Sequence, residues 1–317
     1  AGTIAAEGNN GIGVTGVSWE ASIMPLKFLG PNGGSISGAV KAIDYAVAEG
    51  ATISNNSYGC GGSKCYSKTL KAAIDRVDSA GHLFVAAAGN DGTDNDATPH
   101  YPSGYDSPNV IAVAATNDTD GLASFSNHGG SSVDLGAPGV GILSTLPGGK
   151  YGAFSGTSMA TPHVAGVAAL VKSQAPMADD GELKARILQY AEPKASLEGK
   201  TATGGRLNAV ASATQQAAPD GAEPTVTSVR PKPGSSTRDR TPKIGATVSD
   251  DRAELLKGDI SLYLDGKQRT RFSYDGDTDR LAYTTPKLSY AKHTARIVAE
   301  DAAGNTATKK WTFKVVR

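Results

Sequence analysis

The sequence predicts two structural units: an α/β unit built on a doubly wound, mostly parallel sheet, followed by a smaller all-β sandwich. Up to about residue 214, short apolar runs alternate with segments of helical period, which is typical of βαβ units. Beyond about residue 225 the apolar period becomes two, as in half-buried antiparallel strands. A polar stretch containing prolines separates the two patterns. We therefore predict an α/β unit over 1–214, a linker over 215–224 and a sandwich over 225–317.

The elements of the first unit follow from its apolar runs and from residues that start or stop helices. Strands are predicted where short runs are rich in apolar residues, over 23–29, 51–57, 83–88, 109–116 and 133–135. Helices are predicted where apolar residues return every three to four positions, over 40–47, 67–80, 157–173, 182–192 and from 207 onward. Ser67 is a candidate N-cap, and Gly50, Gly81 and Pro193 mark helix ends. The helix over 157–173 is apolar nearly all round, so we expect it to be central.

The second unit shows the alternation of a sandwich strand twice. Apolar side chains fall on every second position in two runs, Ile260, Leu262 and Leu264 and then Trp311, Phe313 and Val315. Turn pairs such as Asp265-Gly266 and Asp275-Gly276 separate about six or seven such segments. The unit is therefore predicted to be a small β-sandwich.

Composition and charge exclude several classes of protein. The 317 residues carry 31 Lys and Arg against 31 Asp and Glu, so the chain has no net charge and lacks the basic footprint of a dedicated nucleic-acid binder. Hydrophobic residues make up 39% of the chain, which is enough for a folded core, yet apolar runs such as 83–88 are far shorter than a membrane span. Residues before 216 have a net charge of −5, and those from 216 onward have +5. Attraction to an anionic polymer and docking on the acidic unit both remain open.

The two cysteines, Cys60 and Cys65, lie five positions apart in a glycine-rich stretch. A disulfide between them is predicted, and it would fit an oxidising compartment. The alternative is a pair of free thiols, and two ligands alone do not make a zinc site.

The strongest chemical signal is the run from Gly156 to Gly166, which places Ser158 at the start of the central helix. Backbone N–H groups at a helix start are unpaired and can bind developing negative charge. On the residues alone, a helix cap is the better explanation of Ser158. The run reads Gly-Thr-Ser-Met-Ala-Thr-Pro-His-Val-Ala-Gly and resembles the nucleophile motif of the subtilisin-like serine proteases. The resemblance implies that Ser158 is the nucleophile of an endopeptidase.

Other segments resemble the same family in the same order and extend the resemblance over about two thirds of the chain. The segment 85–92 is similar to the one whose Asn side chain binds the oxyanion, which implies that role for Asn90. The segments 54–59 and 30–35 look like the two edges that hold an extended substrate peptide. Substrate-binding residues implied in this way are Ser57, Tyr58, Gly59, Gly33, Gly34, Ala87 and Gly89.

The sequence departs from the family pattern at its start. The family triad needs an Asp and a His ahead of the serine, and this chain begins at the Ala-Gly-Thr that follows the His. We expect both residues to lie upstream of Ala1, so that the sheet lacks its first strand and its His-bearing helix and the fragment alone is nearly inert. The five histidines offer no obvious substitute. The alternative is a catalytically inactive peptide-binding or surface-adhesive protein that keeps the subtilase fold.

The resemblance also sets expectations for ligands, partners and location. No cofactor is required for the chemistry, and the segment 7–14 resembles the family's calcium loop, which implies Asn10 as a side-chain ligand for a structural calcium ion. Protein or peptide substrates, a monomer and secretion are expected, with no nucleic-acid partner and no membrane span. The C-terminal unit resembles immunoglobulin-like or fibronectin-like modules, and a surface or glycan contact through it remains open.

Overall fold

A computed structural model describes residues 1–215, 222–250, 255–301 and 304–317. The chain divides into two compact units, Ala1–Ala217 and Ala218–Arg317, and each is described by itself. Most of the predicted linker, residues 216–221, lies outside the described residues. Within the described part of the chain, no helix is both long and apolar enough to cross a membrane.

Four of the six helices described in the first unit begin at polar caps. The six helices are α1 (Gly2–Ala5), α2 (Ile36–Ala48), α3 (Lys68–Asp78), α4 (Thr157–Gln174), α5 (Asp180–Gln189) and α6 (Ala209–Thr214), with a 3₁₀ turn at Ser63–Cys65. Ser67 caps α3 as predicted, because its hydroxyl accepts a hydrogen bond from the Leu70 N–H. Ser35, Asp179 and Asn208 cap α2, α5 and α6 in the same way.

The strands of the first unit form one main sheet and three small hairpins or bridges. They are β1 (Leu29–Gly30), β2 (Gly33–Gly34), β3 (Ile53–Asn56), β4 (Cys60–Gly61), β5 (Leu83–Ala87), β6 (His100–Tyr101), β7 (Val110–Thr116), β8 (Leu135–Pro138), β9 (Ile142–Leu146), β10 (Lys150–Phe154), β11 (Glu192–Pro193) and β12 (Gly205–Arg206). The main sheet has the order β11-β12-β8-β7-β5-β3 and is parallel except for the β11–β12 pair. This sheet confirms the predicted mostly parallel α/β architecture.

Helices cover both faces of the sheet, as a doubly wound fold requires. On one face α4 is buried through Ala160, Val164 and Ala168, which belong to the same core as Ile111 and Leu135 of the sheet. On the other face α2 and α3 pack on a second core that includes the fully buried Ile74 and Phe84. The prediction that α4 is the central helix is confirmed.

The predicted strand over 23–29 is wrong for most of its length. Only Leu29 and Gly30 form a strand there, in a two-residue hairpin with Gly33 and Gly34. Ile23 is 42% exposed and Met24 40% exposed, so this apolar run is not a buried strand. Apolar branched residues favour a strand only where a neighbouring strand supplies the ladder, and among the described residues none pairs with 22–28.

The second unit is built from two sheets that share one apolar core. Its strands are β13 (Thr225–Arg230), β14 (Ser236–Thr237), β15 (Lys243–Ser249), β16 (Ile260–Leu264), β17 (Lys267–Arg269), β18 (Ser273–Asp275), β19 (Arg280–Thr284), β20 (Lys292–Glu300) and β21 (Thr306–Val315). One sheet has the order β13-β15-β19-β18 and the other β14-β21-β20-β16-β17. Core residues come from both sheets, and the predicted alternating residues from Ile260 to Leu264 and from Trp311 to Val315 point into it. These sheets agree with the predicted β-sandwich.

Candidate active site

Ser158 lies in the first turn of α4, directly after the buried Gly156 and Thr157. Its own side chain is half-buried, so it is reachable from one side only. The first N–H groups of α4 have no partner within the helix, and the helix dipole makes this end positive. The structure therefore places the predicted nucleophile where a developing anion is stabilised by the backbone.

A proline inside α4 changes the hydrogen bonding of Ser158. Pro162 has no N–H, so it cannot donate to the carbonyl of Ser158 four residues earlier, as any other residue would do in a helix. The hydroxyl of Ser57 donates to that carbonyl instead, at 3.0 Å. In return, the hydroxyl of Ser158 donates to the Ser57 carbonyl at 3.4 Å. The segment that follows β3 is thus joined directly to the nucleophile.

Asn90 follows β5 at the carboxyl edge of the parallel sheet, where open α/β sheets bind ligands. Its side-chain oxygen accepts hydrogen bonds from the Thr157 N–H at 2.8 Å and from the Thr157 hydroxyl at 3.0 Å. Because the oxygen is held in this way, the amide nitrogen of Asn90 stays free to donate on the exposed side. Thr157 thus orients the Asn90 amide beside Ser158.

The loop that carries Asn90 is supported by buried amides that the sequence did not single out. The side-chain oxygen of Asn127 accepts from the backbone N–H groups of Asp91 at 2.8 Å and Thr93 at 3.2 Å. Its amide nitrogen donates to the side-chain oxygen of Asn95 at 3.0 Å, and Asn95 donates to the Ala88 carbonyl at 2.9 Å. Both amides are almost fully buried, 1% and 2% exposed. They fix the backbone on both sides of Asn90.

Gly89 must be glycine for two independent reasons. Its φ of +112° lies where residues with a side chain are strained. A Cβ there would also lie 2.4 Å from the side-chain nitrogen of Asn127 and 2.8 Å from the ring of His100. The residue predicted to line a substrate pocket therefore also lets the Asn90 loop close against its buried support.

The predicted substrate edges occupy two separate strands. Gly33 and Gly34 form the exposed arm of the β1–β2 hairpin. On the other edge, Ser57 and Tyr58 follow β3, and Tyr58 packs edge-on against Phe28 with ring centroids 4.9 Å apart. Burial raises the pKa of Tyr58 above its ordinary value, which keeps it neutral.

Two further pocket residues lie in tight surroundings. A Cβ at Gly59 would lie 2.3 Å from the ring of His100, so the chain passes this histidine only as glycine. Ala87 is 3% exposed, so its side chain belongs to the core. At this position the backbone is what a substrate could meet. A disulfide joins Cys60 to Cys65 beside this segment, where β4 pairs with β6.

Four of the five histidines have side-chain partners other than Ser158 within the described residues. His163 bonds through Nδ1 to the Met159 carbonyl, His82 to the Ala51 carbonyl and His100 to the Ser103 hydroxyl. His293 lies in the second unit, between Asp265 and the Ser289 carbonyl. Within the described residues, the hydroxyl of Ser158 has a hydrogen bond to the Ser57 carbonyl and none to a histidine. This part of the chain therefore does not itself assemble a serine with its base.

The predicted calcium ligand Asn10 has a hydrogen-bond partner within its own segment. Asn10 is exposed, and its oxygen accepts a hydrogen bond from the Ile12 N–H at 3.0 Å. Within the described residues, no cluster of three or more His, Cys, Asp or Glu is placed to hold a metal ion. Calcium takes six to eight oxygen ligands, so these contacts do not make up a complete site.

Removing the Ser57 hydroxyl is expected to affect both stability and turnover. In Ser57→Ala the half-buried Ser158 carbonyl loses its donor, which costs about 1 kcal/mol of unfolding free energy. We expect urea unfolding of the first unit to shift accordingly and kcat/KM to fall. Ser57→Thr keeps a hydroxyl and is the matched control. If Ser57→Ala and Ser57→Thr behave alike, the bond to the Ser158 carbonyl is unimportant.

Three buried histidines predict a loss of stability in mild acid. Burial lowers the pKa of His82, His100 and His163, so the folded state holds the neutral rings. Their contribution is complete above the unfolded pKa of about 6.5 and is lost as pH falls towards the folded values, by up to about 1.4 kcal/mol per pH unit for each group. We expect the urea midpoint of the first unit to drop between about pH 7.5 and about pH 5.5.

The histidine of the second unit supplies a control of opposite sign. Burial lowers the pKa of His293, but its hydrogen bonds to the Ser289 carbonyl and to Asp265 outweigh burial and raise it overall. In His293→Gln the acid loss of the first unit should persist unchanged, whereas in His163→Gln it should become shallower. An unfolding midpoint of the first unit that does not depend on pH in this range contradicts the prediction.

Comparisons with known proteins agree with this geometry. The sequence model of the subtilase family, peptidase S8, matches residues 1–223. Subtilisin amylosacchariticus of Bacillus subtilis subsp. amylosacchariticus is 47% identical over 189 residues, which is 59% of this chain and 48% of that protein. The thermophilic serine proteinase of Bacillus sp. strain AK1 is 44% identical over 209 residues, 66% of this chain and 49% of that protein. The chain thus spans about half the length of these curated relatives.

A solved structure is similar as well. It is described as proteases from Pseudoalteromonas arctica PAMC 21717, with a TM-score of 0.61 and 34% sequence identity. The similarity covers 67% of this chain and 68% of that one.

Proposed function

The chain belongs to the subtilase family, and from this we propose that it carries the nucleophile and the oxyanion-binding groups of a serine endopeptidase. One observation carries the proposal. Thr157 holds the Asn90 side chain, by bonds of 2.8 and 3.0 Å to its oxygen, beside the helix start that bears Ser158. A serine that only capped a helix would not need an amide oriented in this way.

In this proposal the Ser158 oxygen attacks the carbonyl carbon of the scissile peptide bond while its proton passes to a general base. The carbonyl oxygen becomes an anion, which the Ser158 N–H and the Asn90 side-chain nitrogen bind. Collapse of this intermediate breaks the C–N bond, and the proton held by the base goes to the leaving amine. Water then attacks the acyl-enzyme by the same route and releases the acid and the free serine.

We propose that the general base and the carboxylate that orients it come from residues outside the 317 of this chain. Two observations support this. Within the described residues, the hydroxyl of Ser158 bonds to the Ser57 carbonyl and to no histidine, and four of the five histidines bond to other groups. In addition, β3 is an edge strand among the described residues, which leaves room for further strands beside it. Because an unactivated serine hydroxyl is a weak nucleophile, residues 1–317 alone are expected to be nearly inert.

The substrate is proposed to be an extended peptide held between two edges. The exposed arm at Gly33 and Gly34 offers one edge, and the segment from Ser57 to Gly59 offers the other. Backbone hydrogen bonds along both edges recognise any extended chain, so the side chains of the substrate are read in alternate pockets. Ala87 and Gly89 contribute the backbone of the pocket next to the scissile bond.

Covalent labelling tests the proposed function. In the complete natural protein, a serine-directed phosphonate should modify Ser158, and mass spectrometry of the digested protein should place the adduct in the peptide that contains it. Ser155 is the internal control because it lies three residues away, is exposed and has its hydroxyl engaged with the Gly141 N–H. A folded protein in which Ser158 stays unlabelled supports the alternative, an inactive peptide-binding or adhesive relative.

The C-terminal unit is proposed to be an immunoglobulin-like or fibronectin-like module that serves as a spacer or a binding module. Deletion of residues 222–317 should leave kcat/KM for a short peptide within about twofold, since the first unit has its own core. The assay uses the complete protein with and without this unit. If the shortened protein stays folded by circular dichroism but no longer cleaves the peptide, the modular interpretation is wrong.

Three further properties are proposals. Secretion is supported by the Cys60–Cys65 disulfide, since disulfides persist in oxidising environments. A structural calcium ion at Asn10 needs oxygen ligands beyond those described above. A monomer is expected, and sedimentation of the complete protein tests it.

A further inference from the structure

A groove of about 790 Å³ lies on the C-terminal unit, where its two sheets come together at their edges. β17 is the edge strand of one sheet and β18 the edge strand of the other, and the segment 270–272 connects them. The groove is lined by residues of β15, β17, β18, β19 and this connection. Its volume is within the range of small-ligand pockets and larger than a single ion needs.

Strand register explains the shape of the groove. Gly245, Ala282 and Ser273 are aligned across β15, β19 and β18, so one row of small residues crosses the outer face of this sheet. The core residues Ile244 and Leu281 point the other way, into the sandwich. These small side chains leave the floor of the groove low, which lets a ligand ring approach the sheet closely.

Three cationic side chains surround this floor, and no acidic side chain among the described residues pairs with them. Lys243 stands on the next row of the same face, and Arg269 and Arg271 come from the edge. Among the residues that the structure describes, none of the three forms an ion pair. An uncompensated cluster of cations raises the local concentration of anions.

Two buried polar atoms of the groove residues lack partners. The Nε of Arg269 and the hydroxyl of Thr285 are both buried and have no hydrogen-bond partner within the described residues. Thr285 is 3% exposed, so bulk water does not reach it freely. Buried polar groups are almost always hydrogen-bonded, and a polar ligand in this groove would supply partners that these two groups lack.

We propose that this groove binds an acidic sugar chain, through the carboxylates of uronate units. Arginine and lysine pair with a carboxylate, and the hydroxyls of Thr284 and Thr285 match those of a sugar ring. A single-stranded nucleic acid would need exposed aromatic rings for stacking. Of the two aromatic side chains of the groove, Phe272 is 6% exposed with Lys257 over its face, and Tyr283 packs against the apolar core of the unit. The proposal rests on the binding role proposed above for this unit and not on peptidase activity.

Calorimetric titration of the complete chain with a short oligogalacturonate tests the proposal. We expect binding that weakens with salt and that is lost when the same oligomer is methyl-esterified, because esterification removes the charge and keeps the ring. The triple variant Lys243→Gln, Arg269→Gln, Arg271→Gln should lose roughly ten- to hundredfold in affinity or more. Ala282→Tyr keeps every charge but fills the floor, and it should also abolish binding.

The matched control removes equal charge elsewhere on the same unit. Lys292, Lys309 and Lys310 are exposed on β20 and β21, and changing all three to Gln should leave the affinity within about twofold at moderate salt. If this control variant loses as much affinity as the groove variant, the attraction is a diffuse effect of charge and the proposed groove site is wrong. No binding by the unaltered chain, equal binding of the esterified oligomer, or equal binding of poly-glutamate would each overturn the proposal. Because no peptide is cleaved in this measurement, its failure is distinct from a failure of the peptidase proposal.

Discussion

Ser158→Ala in the complete natural protein is expected to remove peptide hydrolysis almost entirely, with the fold intact. In subtilisin, loss of the nucleophile lowers kcat by about 10⁶-fold, and we expect a loss of the same order here. Within the described residues the hydroxyl makes one hydrogen bond, to the Ser57 carbonyl at 3.4 Å, so its removal costs little stability. Hydrolysis of a chromogenic peptide and thermal unfolding are the two measurements.

Ser155→Ala is the control for this result. Ser155 lies on the same approach to α4, is exposed, and its hydroxyl accepts a hydrogen bond from the Gly141 N–H. Its substitution should leave kcat within about threefold. Full activity in Ser158→Ala would show that Ser158 is not the nucleophile. An equal loss of activity in Ser158→Ala and Ser155→Ala would indicate that both substitutions disturb the start of α4.

Asn90→Ala is the second large effect, and it should act on kcat with little change in KM. The Asn90 side chain is proposed to touch only the developing oxyanion, so its loss removes an interaction made in the transition state. Loss of one such donor costs about 10²- to 10³-fold in kcat. Steady-state kinetics on a peptide substrate separates kcat from KM.

Thr157→Val tests how the Asn90 amide is oriented. The hydroxyl of Thr157 donates to the Asn90 oxygen and to the Gly89 carbonyl, and the substitution removes both bonds. The hydrogen bond from the backbone N–H of residue 157 to the Asn90 oxygen remains. A loss of kcat smaller than that of Asn90→Ala is expected, again with KM unchanged. A KM that rises as much as kcat falls, in either variant, would mean that Asn90 binds substrate and not the transition state.

The candidate site was predictable where one stretch of sequence holds a whole motif. The run from Gly156 to Gly166 identified both the central helix and Ser158. A helix that is apolar on all sides must be buried, which predicted its central position, and the resemblance to the family motif predicted the role of Ser158. The structural role of Asn127 and Asn95 was not predicted, because asparagines in loops usually indicate turns. Both amides act through their burial, and Asn127 has partners more than thirty positions away in the sequence. Local sequence patterns report neither burial nor such distant partners.

The other elements of the fold were likewise predictable where a local pattern is enough and not where a distant partner decides. Alternation predicted the inward faces of β16 and β21, because period two states which face is buried. The run 23–29 has the composition of a strand without the neighbour that would make it one. The cations of the sandwich groove come from β15, β17 and the segment after it, and only the strand register brings them together.

Pro162 sets stability and turnover against each other at a single position. Replacing a proline inside a helix is an ordinary way to strengthen the helix, because the new residue regains the missing N–H. Here that N–H would compete with the Ser57 hydroxyl for the Ser158 carbonyl and so loosen the tie between the segment after β3 and the nucleophile. A more heat-resistant variant obtained at this position would therefore be a poorer catalyst, and a programme of thermal engineering should leave residue 162 untouched.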